Sequence, residues 1–189
     1  MGKPLIITIS GPSGTGKSSL INMLLKSNIE LAMPISVTTR SRRQNEVAGK
    51  DYHFKTLKEF KEVISSKGFL EYQEVYDNQF YGTLKSEVME ISRNGKVPLI
   101  DIDVNGALSL KTTEFKLIKV FIYASYATVK KRLILRNTES LRSITKRLNR
   151  YEHEISLKGQ FDYIINNEDC IKNTFSKLNE LVTSVLLYH

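Results

Sequence analysis

Gly11-Pro12-Ser13-Gly14-Thr15-Gly16-Lys17-Ser18 satisfies G-x-x-x-x-G-K-[ST] at every fixed position. This is the pattern of a loop that cradles the phosphates of a nucleoside triphosphate. Its glycines let the backbone approach an anion closely. The loop amides and the start of a following helix then turn N–H groups toward phosphate oxygens. Lys17 supplies a cation for the β- and γ-phosphates, and Ser18, followed by Ser19, supplies a hydroxyl suited to Mg²⁺.

Three further groups of residues could do chemistry. Asp101-Ile102-Asp103 closes an apolar run, and strand alternation places its two carboxylates on one face. Ligands of parallel sheets bind beyond the carboxyl ends of the strands. These aspartates are therefore expected near the phosphate loop, holding Mg²⁺ or its waters or accepting hydrogen bonds from a substrate. Ser36-Val37-Thr38-Thr39-Arg40-Ser41-Arg42-Arg43 combines hydroxyls with guanidiniums, whose forks match phosphate oxygens. Tyr52, Glu71 and Tyr81-Gly82-Thr83 follow. A carboxylate such as Glu71 can accept two hydrogen bonds from adjacent donors, the pair that guanine carries at N1 and its 2-amino group and that adenine lacks.

The elements that position these groups alternate. Leu5–Ile9 reads as a buried strand before the loop and Ser19–Leu25 as a helix after it. Strand-like runs recur at 97–102, 117–123 and 161–165, with helices expected at 104–111 and 127–136. A C-terminal helix carries Ile171, Phe175, Leu178, Val182 and Val185 on one stripe. That alternation predicts a parallel sheet flanked by helices, an α/β fold.

Two segments break the pattern. Residues 36–83 are polar and aromatic-rich, with a capping box at Thr56-Leu57-Lys58-Glu59 and short β-like pieces at 52–54 and 69–75. They suit an inserted lobe. Residues 126–159 are helical and arginine-rich, with Ile144, Leu148, Tyr151 and Ile155 on one face, leaving Lys146, Arg147 and Arg150 to point elsewhere. They suit a lid, which keeps water from a phosphoryl group in transit. The core is then 1–35, 84–125 and 160–189.

A chain of 189 residues with 41% hydrophobic and 25% charged residues suits one compact domain with insertions. Its apolar runs are too short to span a bilayer. Lys3-Pro4 leads straight into the first strand without a signal-peptide core, and Ile6 stands where myristoylation needs Ser or Thr. One cysteine, Cys170, forms no internal disulfide and fits a reducing, cytoplasmic setting. The net charge of +8 raises nucleic acid as a partner. The arginines fall in two short segments, which favours discrete sites for phosphorylated small molecules, with neither nucleic acid nor membrane expected.

Taken together, these residues resemble the guanylate kinase family from residue 4 to residue 185. The matching stretches are 10–18, 36–40 (Ser-Val-Thr-Thr-Arg), 49–54 (Gly-Lys-Asp-Tyr-His-Phe), 69–72 (Phe-Leu-Glu-Tyr), 80–83 (Phe-Tyr-Gly-Thr) and 100–106 (Ile-Asp-Ile-Asp-Val-Asn-Gly). Lys-Lys-Arg-Leu at 130–133, Lys-Arg-Leu at 146–148 and Phe-Asp-Tyr-Ile-Ile-Asn-Asn at 161–167 complete the series. Many families share the phosphate loop; the block from Ser36 to Thr83 is specific.

The resemblance implies a three-layer P-loop NTPase fold with a GMP-binding lobe and a helical lid. It implies Mg²⁺-dependent transfer of the ATP γ-phosphoryl group to GMP, with dGMP as a further acceptor. Gly11 to Ser19 then hold ATP, with Ser18 on Mg²⁺. Ser36, Arg40, Arg43, Tyr52 and Tyr81 hold the GMP phosphate. Glu71 and Thr83 read the guanine, with Asp101 and Asp103 nearby. Lys17, Arg43, Arg132, Arg136 and Arg147 neutralise the transferring group, and Asn167 lies near the adenine. Arg42 stands where the family usually has Pro, Asn137 where it usually has Gly, and Arg150 where it usually has a small residue. A monomer or a homodimer fits. The rivals are a kinase for AMP, UMP or dTMP, against which Glu71 and Thr83 argue, and a non-catalytic scaffold of the same fold, against which the intact loop argues.

Overall fold

The computed structural model describes residues 3–76, 79–110, 112–135, 141–168 and 170–188. In chain order the elements are β1 (Leu5–Ser10), α1 (Lys17–Ser27), β2 (Leu31–Ala32), β3 (Val37–Thr38), β4 (His53–Phe54), α2 (Leu57–Ser65), β5 (Phe69–Tyr76), β6 (Gln79–Leu84) and α3 (Lys85–Arg93). There follow β7 (Val97–Asp101), α4 (Val104–Ser109), β8 (Lys116–Tyr123), α5 (Tyr126–Leu135), α6 (Leu141–Ser156), a 3₁₀ turn at Lys158–Gln160, β9 (Tyr163–Asn166) and α7 (Ile171–Leu187).

The central five-stranded parallel sheet has the order β2-β7-β1-β8-β9. β1 sits in its middle and is buried at every position, as a parallel strand covered on both faces must be. Its register sets Ile9 beside Asp101 on one side and Val120 on the other. The ends of β1 and β7 therefore lie together where the phosphate loop begins. α7 buries Leu178 and Val182 of the stripe read from sequence, together with Thr174, which that reading did not include, while Ile171, Phe175 and Val185 are half-buried. α5 and α6 share an apolar cluster of Ala124, Val129, Leu133, Ile144 and Tyr151, with Leu148 and Ile155 packed against it. The Tyr151 hydroxyl donates to the Ala124 carbonyl at 2.7 Å.

The chain divides into two compact units, residues 1–31 with 99–189, and residues 32–98. The second takes in α3 beside the lobe. Its own sheet runs β4-β3-β6-β5 over a core of Val37, Phe60 and Phe69, flanked by Val63, Ile64, Phe80 and Leu84. α2 opens with the expected capping box: Thr56 Oγ1 accepts from Glu59 N–H, and the Glu59 carboxylate accepts from Thr56 N–H.

Several elements differ from the reading of the sequence. β2 and β3 have two residues each and leave no period to read. β6 and α3 went unread because turn-like and polar residues mask their patterns. β7 stops at Asp101, so strand alternation does not relate Asp101 to Asp103. Asp103 is instead the N-cap of α4, its Oδ1 accepting from Gly106 N–H at 2.6 Å.

Candidate functional site

The phosphate loop joins β1 to α1. It wraps around Lys17, whose Nζ donates to the carbonyls of Gly11 at 2.5 Å and Pro12 at 3.2 Å. Thr15 is buried and folds back, its Oγ1 donating to the Pro12 carbonyl at 2.8 Å. Gly16 takes φ +95°, and a Cβ there would lie 2.5 Å from Asn167 Nδ2. Glycine is therefore required twice over at this position, by conformation and by space.

A cleft of about 330 Å³ opens beside the loop. Its walls include Ser13, Lys17, Ser18, Asp101, Asp103, Arg147 and Glu154. Burial lowers the Lys17 ammonium below its ordinary range, against the pull of Asp101, Glu154 and Asp103. Burial raises Asp101, with Lys17 opposing it. The Asp101 side chain keeps solvent-accessible surface on the cleft side, but the protein around it is close enough to disfavour its charge. Burial raises Glu154 as well, again opposed by Lys17. One ammonium thus faces three carboxylates, two of which are costly to ionise there.

Arg147 reaches the loop from α6, its Nη1 donating to Ser13 Oγ at 2.5 Å. Arg132 reaches it from α5, with Nη1 3.5 Å from the Thr15 carbonyl. Arg132, Leu135, Asn167 and Ile171 line a second cleft of about 350 Å³ on the other side of Gly14 and Gly16. Asn167 is 1% exposed. Its Nδ2 donates to the Thr15 carbonyl at 2.7 Å, and its buried Oδ1 has no hydrogen-bond partner among the described residues. Arg136 and Asn137 lie outside the described residues.

In the unit of residues 32–98, the polar residues named from sequence form two groups. Thr83 Oγ1 donates to Glu71 Oε1 at 2.6 Å, across the β5–β6 pair that sets these two residues opposite each other. Arg40 Nε donates to the Tyr81 hydroxyl at 3.2 Å. The Arg40 guanidinium lies 5.4 Å from the Tyr52 ring centre, and the Tyr52 and Tyr81 rings meet edge to face at 6.1 Å. Ser36 is half-buried, and its carbonyl accepts from His53 N–H at 2.9 Å. Arg43 is exposed.

Three acidic residues escaped the sequence reading. Glu154 stands on the α6 face read as free of core contacts. Glu46 pairs with Arg40 but sits in a loop with no period to place it. Glu168 accepts from the Ser125 amide and hydroxyl and from Thr128 Oγ1, fixing the start of α5. Burial pushes its carboxyl up, and these hydrogen bonds outweigh that and hold it below the ordinary range. Among the described residues no three His, Cys, Asp or Glu side chains converge as a metal cage, and no helix is long and apolar enough to cross a membrane.

The chain is similar to known proteins along nearly its whole length. A model of the guanylate kinase family matches residues 1–185. A guanylate kinase of Rickettsia felis is 40% identical over 183 residues, covering 96% of this chain and 94% of that one. One from Clostridium acetobutylicum is also 40% identical, covering 96% and 86%. The crystal structure of guanylate kinase from Anaplasma phagocytophilum superposes with a TM-score of 0.72 at 28% identity, over 96% of this chain and 86% of that one.

Proposed function

This chain belongs to the guanylate kinase family, and we propose that it transfers the γ-phosphoryl group of ATP to GMP, giving ADP and GDP. The observation that carries the reading is the Thr83–Glu71 pair, 2.6 Å apart on neighbouring strands. It holds a carboxylate oriented by a hydroxyl in the same unit as Arg40, Tyr52 and Tyr81. Such a carboxylate suits the two adjacent donors of guanine, and the arginine and phenols suit a monophosphate.

In this reading Gly11 to Ser19 hold the ATP triphosphate. Lys17, Arg132 and Arg147 offset the charge of the group in transit, with Arg136 in the same role on the strength of the resemblance. Asn167 borders the cleft walled by Leu135 and Ile171, and its place near the adenine rests on the resemblance. Ser36, Arg40, Arg43, Tyr52 and Tyr81 hold the GMP phosphate. The part of Asp101 and Asp103 toward GMP rests on the resemblance alone.

The donor set fits Mg²⁺. Ser18, Asp101 and Asp103 bring hard oxygens to one cleft, the donor type that Mg²⁺ takes alongside phosphate and water. When bound, Mg²⁺ neutralises charge on the phosphates. The acceptor oxygen of GMP is already anionic, so no general base is assigned. Positioning and charge neutralisation supply the acceleration.

A coupled spectrophotometric assay with ATP, Mg²⁺ and GMP, dGMP, AMP, UMP or dTMP in turn tests the reading. GMP consumption well above the others is expected, with dGMP second. Preference for AMP, or GMP left unconsumed beside excess ATP, overturns it. Absence of MgATP binding in calorimetry would favour a scaffold. Neither nucleic acid nor membrane is required as a partner, and both monomer and homodimer fit the reading.

A further inference from the structure

Arg40, read above as a ligand of the acceptor phosphate, is held by the residues around it. Its Nη2 donates to Glu46 Oε1 at 2.6 Å and its Nη1 to Glu46 Oε2 at 3.0 Å. Nη1 also donates to the Ser41 carbonyl at 2.7 Å, and Nε donates to the Tyr81 hydroxyl. A guanidinium has five N–H donors. Among the described residues these contacts use one on Nε, two on Nη1 and one on Nη2, which leaves one Nη2 proton.

The same Glu46 carboxylate closes the loop. Oε2 accepts from Arg43 N–H at 2.8 Å, and Glu46 N–H donates to the Arg43 carbonyl at 3.1 Å. Tyr52 and Phe54 lie against the guanidinium at 5.4 and 5.9 Å. The Arg40 and Glu46 side chains are 13% and 17% exposed. Glu46, Ser41 and Tyr81 therefore hold Arg40 in one rotamer, which removes an ordering cost from binding. Arg43 keeps an exposed side chain on a backbone that Glu46 holds.

We propose that Glu46 is a positioning residue for the acceptor phosphate. It holds Arg40 as a single-donor contact beside the Tyr81 hydroxyl and leaves the two-pronged grip to Arg43. The proposal deepens the reading of this unit as the GMP site and rests on it.

A double-mutant cycle tests it, with Glu46→Ala, Arg40→Ala and the double variant compared for GMP KM, ATP KM, kcat and Tm. Glu46→Ala is expected to raise the GMP KM about 10-fold, with ATP KM within about twofold of wild type. With Arg40 already replaced, the second substitution should change the GMP KM by less than about twofold. Glu46→Gln, which keeps the shape and loses the charge, should fall between and serves if the alanine variant does not fold. An unchanged GMP KM, an equal effect in both backgrounds, or a lowered KM overturns the proposal; the last would make Glu46 a competitor of phosphate. If the unmodified chain leaves GMP unconsumed, the functional reading fails and takes this one with it. Normal turnover with a silent Glu46→Ala fails this one alone.

Discussion

Asn167 Nδ2 donates to the carbonyl of Thr15 at 2.7 Å, across 152 residues of sequence. The contact ties the segment after β9 to the middle of the phosphate loop. It sits beside Gly16, where any side chain would collide with it. Asn167→Ala takes the short donor from the Thr15 carbonyl and leaves it the long 3.5 Å contact from Arg132, which should cost about 1–3 kcal/mol of stability. ATP KM should rise by roughly tenfold while GMP KM stays near wild type. Thermal denaturation and steady-state kinetics check both, and a GMP-specific defect would show that Asn167 does not act through the loop.

The Thr83–Glu71 hydrogen bond predicts how the acceptor is chosen. Glu71→Gln replaces one acceptor oxygen by an NH₂ group that opposes a guanine donor. It should lower kcat/KM for GMP about 10²-fold and change the rate measured with AMP far less. Thr83→Val keeps the volume and removes the hydroxyl, and should cost about tenfold. An equal loss for GMP and AMP in either variant would point to damage to the lobe and away from base reading.

Lys17→Met should lower kcat by at least ~10²-fold. Its pH dependence has a definite sign. Burial holds the folded-state value below 10.5, so the folded chain binds this proton less tightly than the unfolded one. Stability attributable to Lys17 therefore rises with pH from that lowered value up to 10.5. MgATP should restore the ammonium, so binding takes up a proton in that alkaline window. Calorimetry in buffers of different ionisation enthalpy should detect the uptake in the parent chain and lose it in Lys17→Met.

Tyr151→Phe removes the hydroxyl that anchors α6 to the Ala124 carbonyl. A loss of about 1–2 kcal/mol is expected, lowering Tm by about 2–8 °C for a chain of this size. Burial pushes the Tyr151 phenol up to about 12. Its stabilising contribution is thus complete below pH 10 and lost as pH rises toward 12. Alkaline denaturation curves should show that slope in the parent chain and lack it in Tyr151→Phe.

The sequence by itself determined what is contiguous. Residues 11–18 carry the glycines their backbone needs, because Gly11, Gly14 and Gly16 take positive φ that other residues adopt only with strain. Thr56 and Glu59 specify a helix start through reciprocal side-chain to backbone hydrogen bonds, and the α7 stripe announces its buried face. The tertiary structure decided what meets across distance. It set Asn167 on Thr15 and Glu154 opposite Lys17, and it turned Asp103 from a presumed strand residue into a helix cap. It also closed Glu46 onto Arg40, only six residues away, because a loop without helix or strand register gives no rule for which side chains face each other. Local backbone preferences act between neighbours in the chain. The pairing of distant charges and amides is fixed only when the core packs and brings them within hydrogen-bond reach.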